Sequence, residues 1–129
     1  MSGAFIPDGI ARFILEKVDS VAQLEALLLL HNNSEKQWSV RALAARLYVD
    51  EEQTARLLSD LCRQSLAVEI PREPPLYQYK PSSIQLRQMV DSVAEFYSKH
   101  LVPITNLIHS KPKTRLQQFA DAFKFRKDE

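Results

Sequence analysis

Glycine is scarce: there are two in a chain of 129 residues. Loops that cradle phosphates need glycine so that the backbone can approach the ligand closely, and the pattern G-x-G does not occur. Cysteine is scarcer still. Cys62 stands alone and cannot close an internal disulfide, which suits a reducing compartment. No sign of charge dominates: 17 Lys and Arg oppose 16 Asp and Glu, a net +1. So no global field draws the chain to nucleic acid or to an anionic membrane. Long apolar runs are missing as well. The longest aliphatic run, Ala26 to Leu30, is five residues, whereas a membrane-spanning helix needs roughly 20. No basic start leads into a short apolar stretch, so the sequence has no signal-peptide pattern. These absences predict a soluble, cytoplasmic chain with no membrane partner.

Signatures of chemistry are also lacking. His31, His100 and His109 form no His-x-x-x-His pair, and no cysteine or carboxylate stands beside them at metal-ligand spacing. There is no nucleophile elbow and no activated-cysteine motif. The expectation is a non-enzyme with no catalytic residue, metal or cofactor. Cys62, beside Leu58 and Leu61, reads as a small core residue.

The composition is that of an ordinary folded chain, 45% hydrophobic and 26% charged, long enough for one small domain with an appendage. Residues 1–7 read as a loose lead-in. Asp8 is a cap for a helix over 8–18, with Ile10, Phe13, Ile14 and Val18 at helical spacing. Ser20 with Gln23 fits a capping box for a helix over about 20–31. That helix is apolar on nearly all sides, which predicts the central helix of the core. Ser39 caps a short helix over 39–48, and Trp38 before it stands at staple spacing from Leu43. Asp50, with Gln53, caps the next helix, over 50–65. After Leu66 the period changes to alternation. Two short strands flank Pro71-Arg72-Glu73-Pro74-Pro75, a hairpin over 67–80 that its prolines assign to a sheet edge. A long apolar stripe then runs over 83–110, where Pro103 should kink or split the helix. Lys111-Pro112-Lys113 breaks the chain before a last amphipathic segment through Leu116, Phe119, Ala120 and Phe123.

Helix, helix, turn, helix, hairpin, helix is the winged-helix order. The stretch VRALAARLYVDEEQTARLLSDLCRQSLAVE, Val40 to Glu69, resembles the winged helix-turn-helix of small bacterial MarR-type and PadR-type regulators. The match covers about 20–81, roughly half of the chain. The resemblance implies a mainly α fold with a small two-stranded β-wing and added N- and C-terminal helices. The winged-helix domain would be 8–81, with its helix-turn-helix at about 39–66. Helix 83–110 would be a dimerisation helix, and 111–129 a basic tail. The implied function is a DNA-binding transcriptional regulator acting as a homodimer. On this reading Gln53, Arg56 and Arg63 face the DNA groove, Arg41 the backbone, and Arg72 lies on the wing. A solvated face with local salt bridges is the alternative role for Arg56 and Arg63.

Two positions depart from the family pattern. Glycine is usual at the corner of the helix-turn-helix, where Tyr48 and Val49 stand here. It is also frequent where the recognition helix ends, where Ser65 must cap without glycine's freedom at positive φ. Charge departs too. Residues 39–80 hold six basic and six acidic side chains, and the recognition helix opens with Asp50-Glu51-Glu52. DNA affinity depends on cations that meet phosphates. A second reading is therefore a winged-helix adaptor that binds protein and not DNA, through that acidic start or through the tail. The tail, 110–129, carries six basic against three acidic residues and three of the six phenylalanines. The candidate dimer or partner contacts are Val93, Phe96, Tyr97, Leu101 and Ile104 on the long helix, and Leu116, Phe119 and Phe123 in the tail. A 28-residue helix would be about 42 Å long, so its stripe should project beyond its own domain.

Overall fold

The computed structural model describes residues 5–111. Six helices and three strands follow one another: α1 (Asp8–Lys17), α2 (Val21–Asn32), β1 (Trp38–Ser39), α3 (Val40–Leu47), α4 (Glu51–Arg63), β2 (Ala67–Ile70), β3 (Leu76–Tyr79), α5 (Ile84–Lys99) and α6 (Leu101–His109). This is the winged-helix order with a helix added before it and two after.

Side-chain caps start four of the helices. Ser20, Ser39, Asp50 and Ser83 each accept from the backbone N–H three residues on, at 3.0, 3.0, 2.7 and 3.0 Å. Each satisfies a donor that the first helical turn leaves free. Asp8 does not cap. Pro7 is the N-cap of α1 and Asp8 its first helical residue, where its carboxylate meets the positive end of the helix dipole. The Gln23 side chain reaches one residue beyond the usual capping box. It accepts from the Asp19 N–H at 2.7 Å and donates to the Lys17 carbonyl at 3.2 Å.

Helix α2 is the centre of the core, as its all-round apolarity predicts. Leu24, Ala26, Leu27 and Leu30 are fully buried, and the helix packs against α3, α4, α5 and β3. Polar ties fix the added helices around it. The Tyr97 hydroxyl donates to Glu25 Oε2 at 2.7 Å, joining α5 to α2. His31 Nε2 lies 2.8 Å from Asp91 Oδ1, joining the end of α2 to α5. Gln64, the C-cap of α4, donates to the Lys17 carbonyl at 3.3 Å, 47 residues away in sequence.

The sheet has three strands, not two, in the order β1-β3-β2, all antiparallel. Trp38 pairs with Tyr77 and Ser39 with Leu76. Two residues are too few to carry an alternating pattern; β3 makes this segment a strand by offering its free edge. The hairpin pairs Ala67 with Tyr79 through Ile70 with Leu76. β2 is an edge, as expected, but β3 is the middle strand. It tolerates that place because Pro71, Pro74 and Pro75 all fall in the connecting loop and take no donor from the ladder. Trp38 and Leu43 are both fully buried members of one core.

The helix over 83–110 splits in two, as Pro103 leads one to expect, and the main correction is to its projection. The stripe over 83–110 does not form one rod; it breaks at His100, where φ is −137° and ψ 58°. Pro103 lies three residues past the break, in the first turn of α6. There its missing N–H and its fixed φ cost nothing. α6 packs against α1 and α5. Most of the stripe is therefore turned onto the chain itself and does not project, while Leu101 stays exposed. Val93 and Ile104 are wholly enclosed, and Tyr97 nearly so. Lys111, counted in sequence with the basic tail, is 3% exposed. Its Nζ donates to the Val18 carbonyl and lies 3.2 Å from Asp19 Oδ1, which pins the end of α6 to the α1–α2 junction. The tail contacts Leu116, Phe119 and Phe123 lie outside the described residues.

Candidate nucleic-acid interface

The helix-turn-helix is α3 and α4, joined through Tyr48, Val49 and Asp50. α4 divides sharply. Thr54, Leu57, Leu58 and Leu61 are buried, and Gln53, Arg56, Ser59 and Arg63 are exposed. Thr54 also fastens the helix start, donating from Oγ1 to the Asp50 carbonyl at 2.9 Å. The 3.6-residue period thus turns the three predicted groove residues to solvent together. Arg56 and Arg63 line one open depression with Ala55, Ser59 and Asp60. Arg41 is exposed on α3 and Arg72 is exposed in the loop between β2 and β3; neither lines that depression.

Both α4 arginines have acidic neighbours on their own helix. Arg56 Nη1 is 3.4 Å from Glu52 Oε2, and Arg63 pairs with Asp60. These are the local salt bridges that sequence spacing allowed. Arg56 and Glu52 are 67% and 86% exposed. Exposed pairs of this kind contribute about 0–1 kcal/mol, so a phosphate can replace the carboxylate at little cost. The Asp50 carboxylate is committed to the cap through its bond to Gln53 N–H. Two cations not singled out in sequence lie against the Trp38 ring. Lys36 Nζ lies 4.4 Å from the centre of the Trp38 ring, and the Arg46 guanidinium 5.8 Å from it. Nothing in their spacing marks them; β1 holds the tryptophan within reach of both.

Both departures from glycine fall on left-handed backbone. Tyr48 has φ 58° and ψ 42°, and Ser65 has φ 65°. Such backbone costs a residue with a Cβ about 1–2 kcal/mol. Each residue stops a helix. After α4, Ser65 N–H bonds the Cys62 carbonyl at 3.0 Å and Leu66 N–H the Leu61 carbonyl at 2.9 Å. Buried Leu61 and Leu66 complete this Schellman motif. After α3, Val49 N–H bonds the Ala44 carbonyl at 3.3 Å. Tyr48 itself is 94% exposed.

Cys62 is half-buried, and burial, then Glu69, pushes its thiol pKa up. It therefore stays protonated, as a packing residue does. Of the candidate dimer contacts, Leu101 is 55% exposed and Phe96 is half-buried, stacked on His100 at 4.2 Å between ring centres. Val102, 63% exposed, and Phe5, 76% exposed, were not named from sequence. Among the described residues, no cluster of His, Cys, Asp and Glu is arranged to hold a metal, and no helix is long and apolar enough to cross a membrane.

No protein-family model matches the chain, and no curated protein matches it. Solved structures do. RV1404 from Mycobacterium tuberculosis is 22% identical, with a TM-score of 0.54 over 94% of this chain and 80% of its own. A MarR family protein from Bacillus stearothermophilus is 16% identical, with a TM-score of 0.52 over 92% and 80%. MepR of Staphylococcus aureus, in its complex with DNA, is 11% identical, with a TM-score of 0.55 over 89% of each chain. At these identities the likeness is one of fold. The chain has the winged-helix fold of MarR-type structures, spanning the added helices as well as the helix-turn-helix and wing.

Proposed function

We propose that this protein is a DNA-binding transcriptional regulator acting as a homodimer. The observation that carries the reading is the exposed face of α4. It presents Gln53, Arg56 and Arg63 together, on the helix that a winged-helix protein lays in the major groove. Arginine reads guanine and glutamine reads adenine by paired hydrogen bonds. Arg41 would meet the backbone, and Arg72 the DNA beside the wing. The MepR–DNA complex supports a nucleic-acid partner for this fold.

The dimer contact would run along α6 and the segment before α1. There Phe5, Leu101 and Val102 are exposed, next to a groove lined by Ile6, Pro103 and Leu107. A two-fold dimer places two recognition helices on half-sites about 34–36 Å apart. Selection of bound duplexes from a random pool tests this: the expected product is an inverted repeat with that spacing. A pool that shows no enrichment after several rounds would contradict it.

A second reading is an adaptor that binds protein. The pairing of Arg56 with Glu52 and of Arg63 with Asp60 favours it, because each cation already has an anion. The same selection separates the two, since an adaptor enriches nothing.

A further inference from the structure

Tyr48 combines a strained backbone with a large exposed side chain. Its backbone is left-handed, where glycine fits without strain. Its ring gains no packing in return, being 94% exposed. A residue kept for stability alone would do better as glycine. Backbone held in sparsely populated regions clusters at sites of function. Unlike the small Ser65 side chain, this ring reaches into solvent and is available to something outside the chain.

Its position indicates what. Tyr48 ends α3 and lies two residues before Asp50, the N-cap of α4. The N-terminal end of a recognition helix is the end that approaches the DNA. That end is short of cations here, with Asp50, Glu51 and Glu52 in sequence and equal numbers of basic and acidic residues over 39–80. Neutral donors matter most where charge is lacking, and tyrosine hydroxyls are among the groups that bond phosphate oxygens.

We propose that Tyr48 is a DNA-backbone contact, its phenol O–H donating to a phosphate oxygen at the groove edge beside the start of α4. The inference rests on the DNA-binding reading and adds to it a residue with no charge. It also gives the tyrosine a signature that separates it from the arginines. Loss of a cationic phosphate contact flattens the dependence of affinity on salt by about one unit of slope; loss of a neutral donor leaves the slope as it was.

The test is fluorescence anisotropy of a labelled random-sequence duplex titrated with the full chain at several salt concentrations. The parent, Tyr48→Phe and Tyr48→Gly are compared, each with its melting temperature. Tyr48→Phe keeps the ring and the backbone strain and removes only the hydroxyl. It should weaken binding roughly three- to tenfold, the worth of one hydrogen bond, with an unchanged salt slope. Tyr48→Gly should weaken binding at least as much while melting no lower than the parent, so misfolding cannot explain the loss. Phenylalanine and glycine variants that bind as tightly as the parent would overturn the inference and leave the DNA-binding reading standing. A parent that binds no duplex at low salt would overturn both.

Discussion

Ser65→Gly should stabilise the protein although it removes atoms and adds no contact. Ser65 ends α4 at φ 65° with its side chain exposed. The backbone bonds of the motif come from Ser65 N–H and Leu66 N–H, and glycine keeps both. Removing the Cβ relieves about 1–2 kcal/mol of left-handed strain. The greater freedom of glycine in the unfolded chain takes back about 0.4–1 kcal/mol. Roughly 0.5–1 kcal/mol remains, which for a domain of this size raises the melting temperature by about 2–6 °C. Ser65→Ala keeps the Cβ and should stay close to the parent. Ser65→Val should fall below it, because a β-branched residue fits this region worst. Urea unfolding is the assay. The three midpoints should rank Gly above Ala above Val with a constant m-value, showing that stability has changed and not the surface exposed on unfolding. A glycine variant no more stable than the alanine variant would refute the reasoning, since the strain it relieves would not exist.

Lys111→Met keeps the aliphatic stem but leaves the Val18 carbonyl without its ammonium donor; it should cost about 1–3 kcal/mol, read by the same urea unfolding. Burial and the Glu25 hydrogen bond push the Tyr97 phenol up to about 12, and burial does the same for Tyr79. Both pKa values are raised above the unfolded 10.0, so their contribution is intact below pH 10 and is lost as pH climbs towards 12. Phenolate absorbance should show both ionising late, with stability falling across that window; titration of every tyrosine near pH 10 would contradict this. Leu101→Asp with Val102→Asp should shift light scattering from dimer to monomer at little cost in monomer stability, because both side chains are exposed.

Most of the fold was legible because its signals are local. Ser20, Ser39 and Asp50 cap through neighbours three residues away, and the all-round apolarity of α2 admits only a buried site. The hairpin announced itself where the spacing changed after Leu66. Tyr48 and Ser65 were legible as helix stops once set against glycine. What was missed depends on distant partners. β1 exists because β3 offers it an edge. That the long helix splits was legible from Pro103; that the break falls at His100 was not, since apolar residues continue on both sides of it and Pro103 is at ease inside α6. That break turned a projecting rod into two packed helices and placed Val93, Tyr97 and Ile104 inside. Lys111 looked like tail charge and proved to be an anchor, because only the folded chain brings Val18 and Asp19 to it. At the candidate interface, spacing put Gln53, Arg56 and Arg63 on one face. It also showed carboxylates in reach of both arginines, but not the aromatic setting of Lys36 and Arg46.

The central claim is that the exposed face of α4 binds DNA. The most direct measurement is the affinity of the full chain for duplex DNA as a function of salt. Four candidate arginines per protomer, Arg41, Arg56, Arg63 and Arg72, set an upper bound of about 3.6 on the steepness of log affinity against log salt, per protomer. The account predicts binding at low salt with a clear slope below that bound, which Arg41→Ala, the loss of a backbone cation, reduces by about one, while Arg56→Ala and Arg63→Ala, the loss of groove contacts, each weaken binding by about 1–3 kcal/mol. No binding at the lowest salt, or Arg56→Ala and Arg63→Ala variants that bind as tightly as the parent, would contradict it.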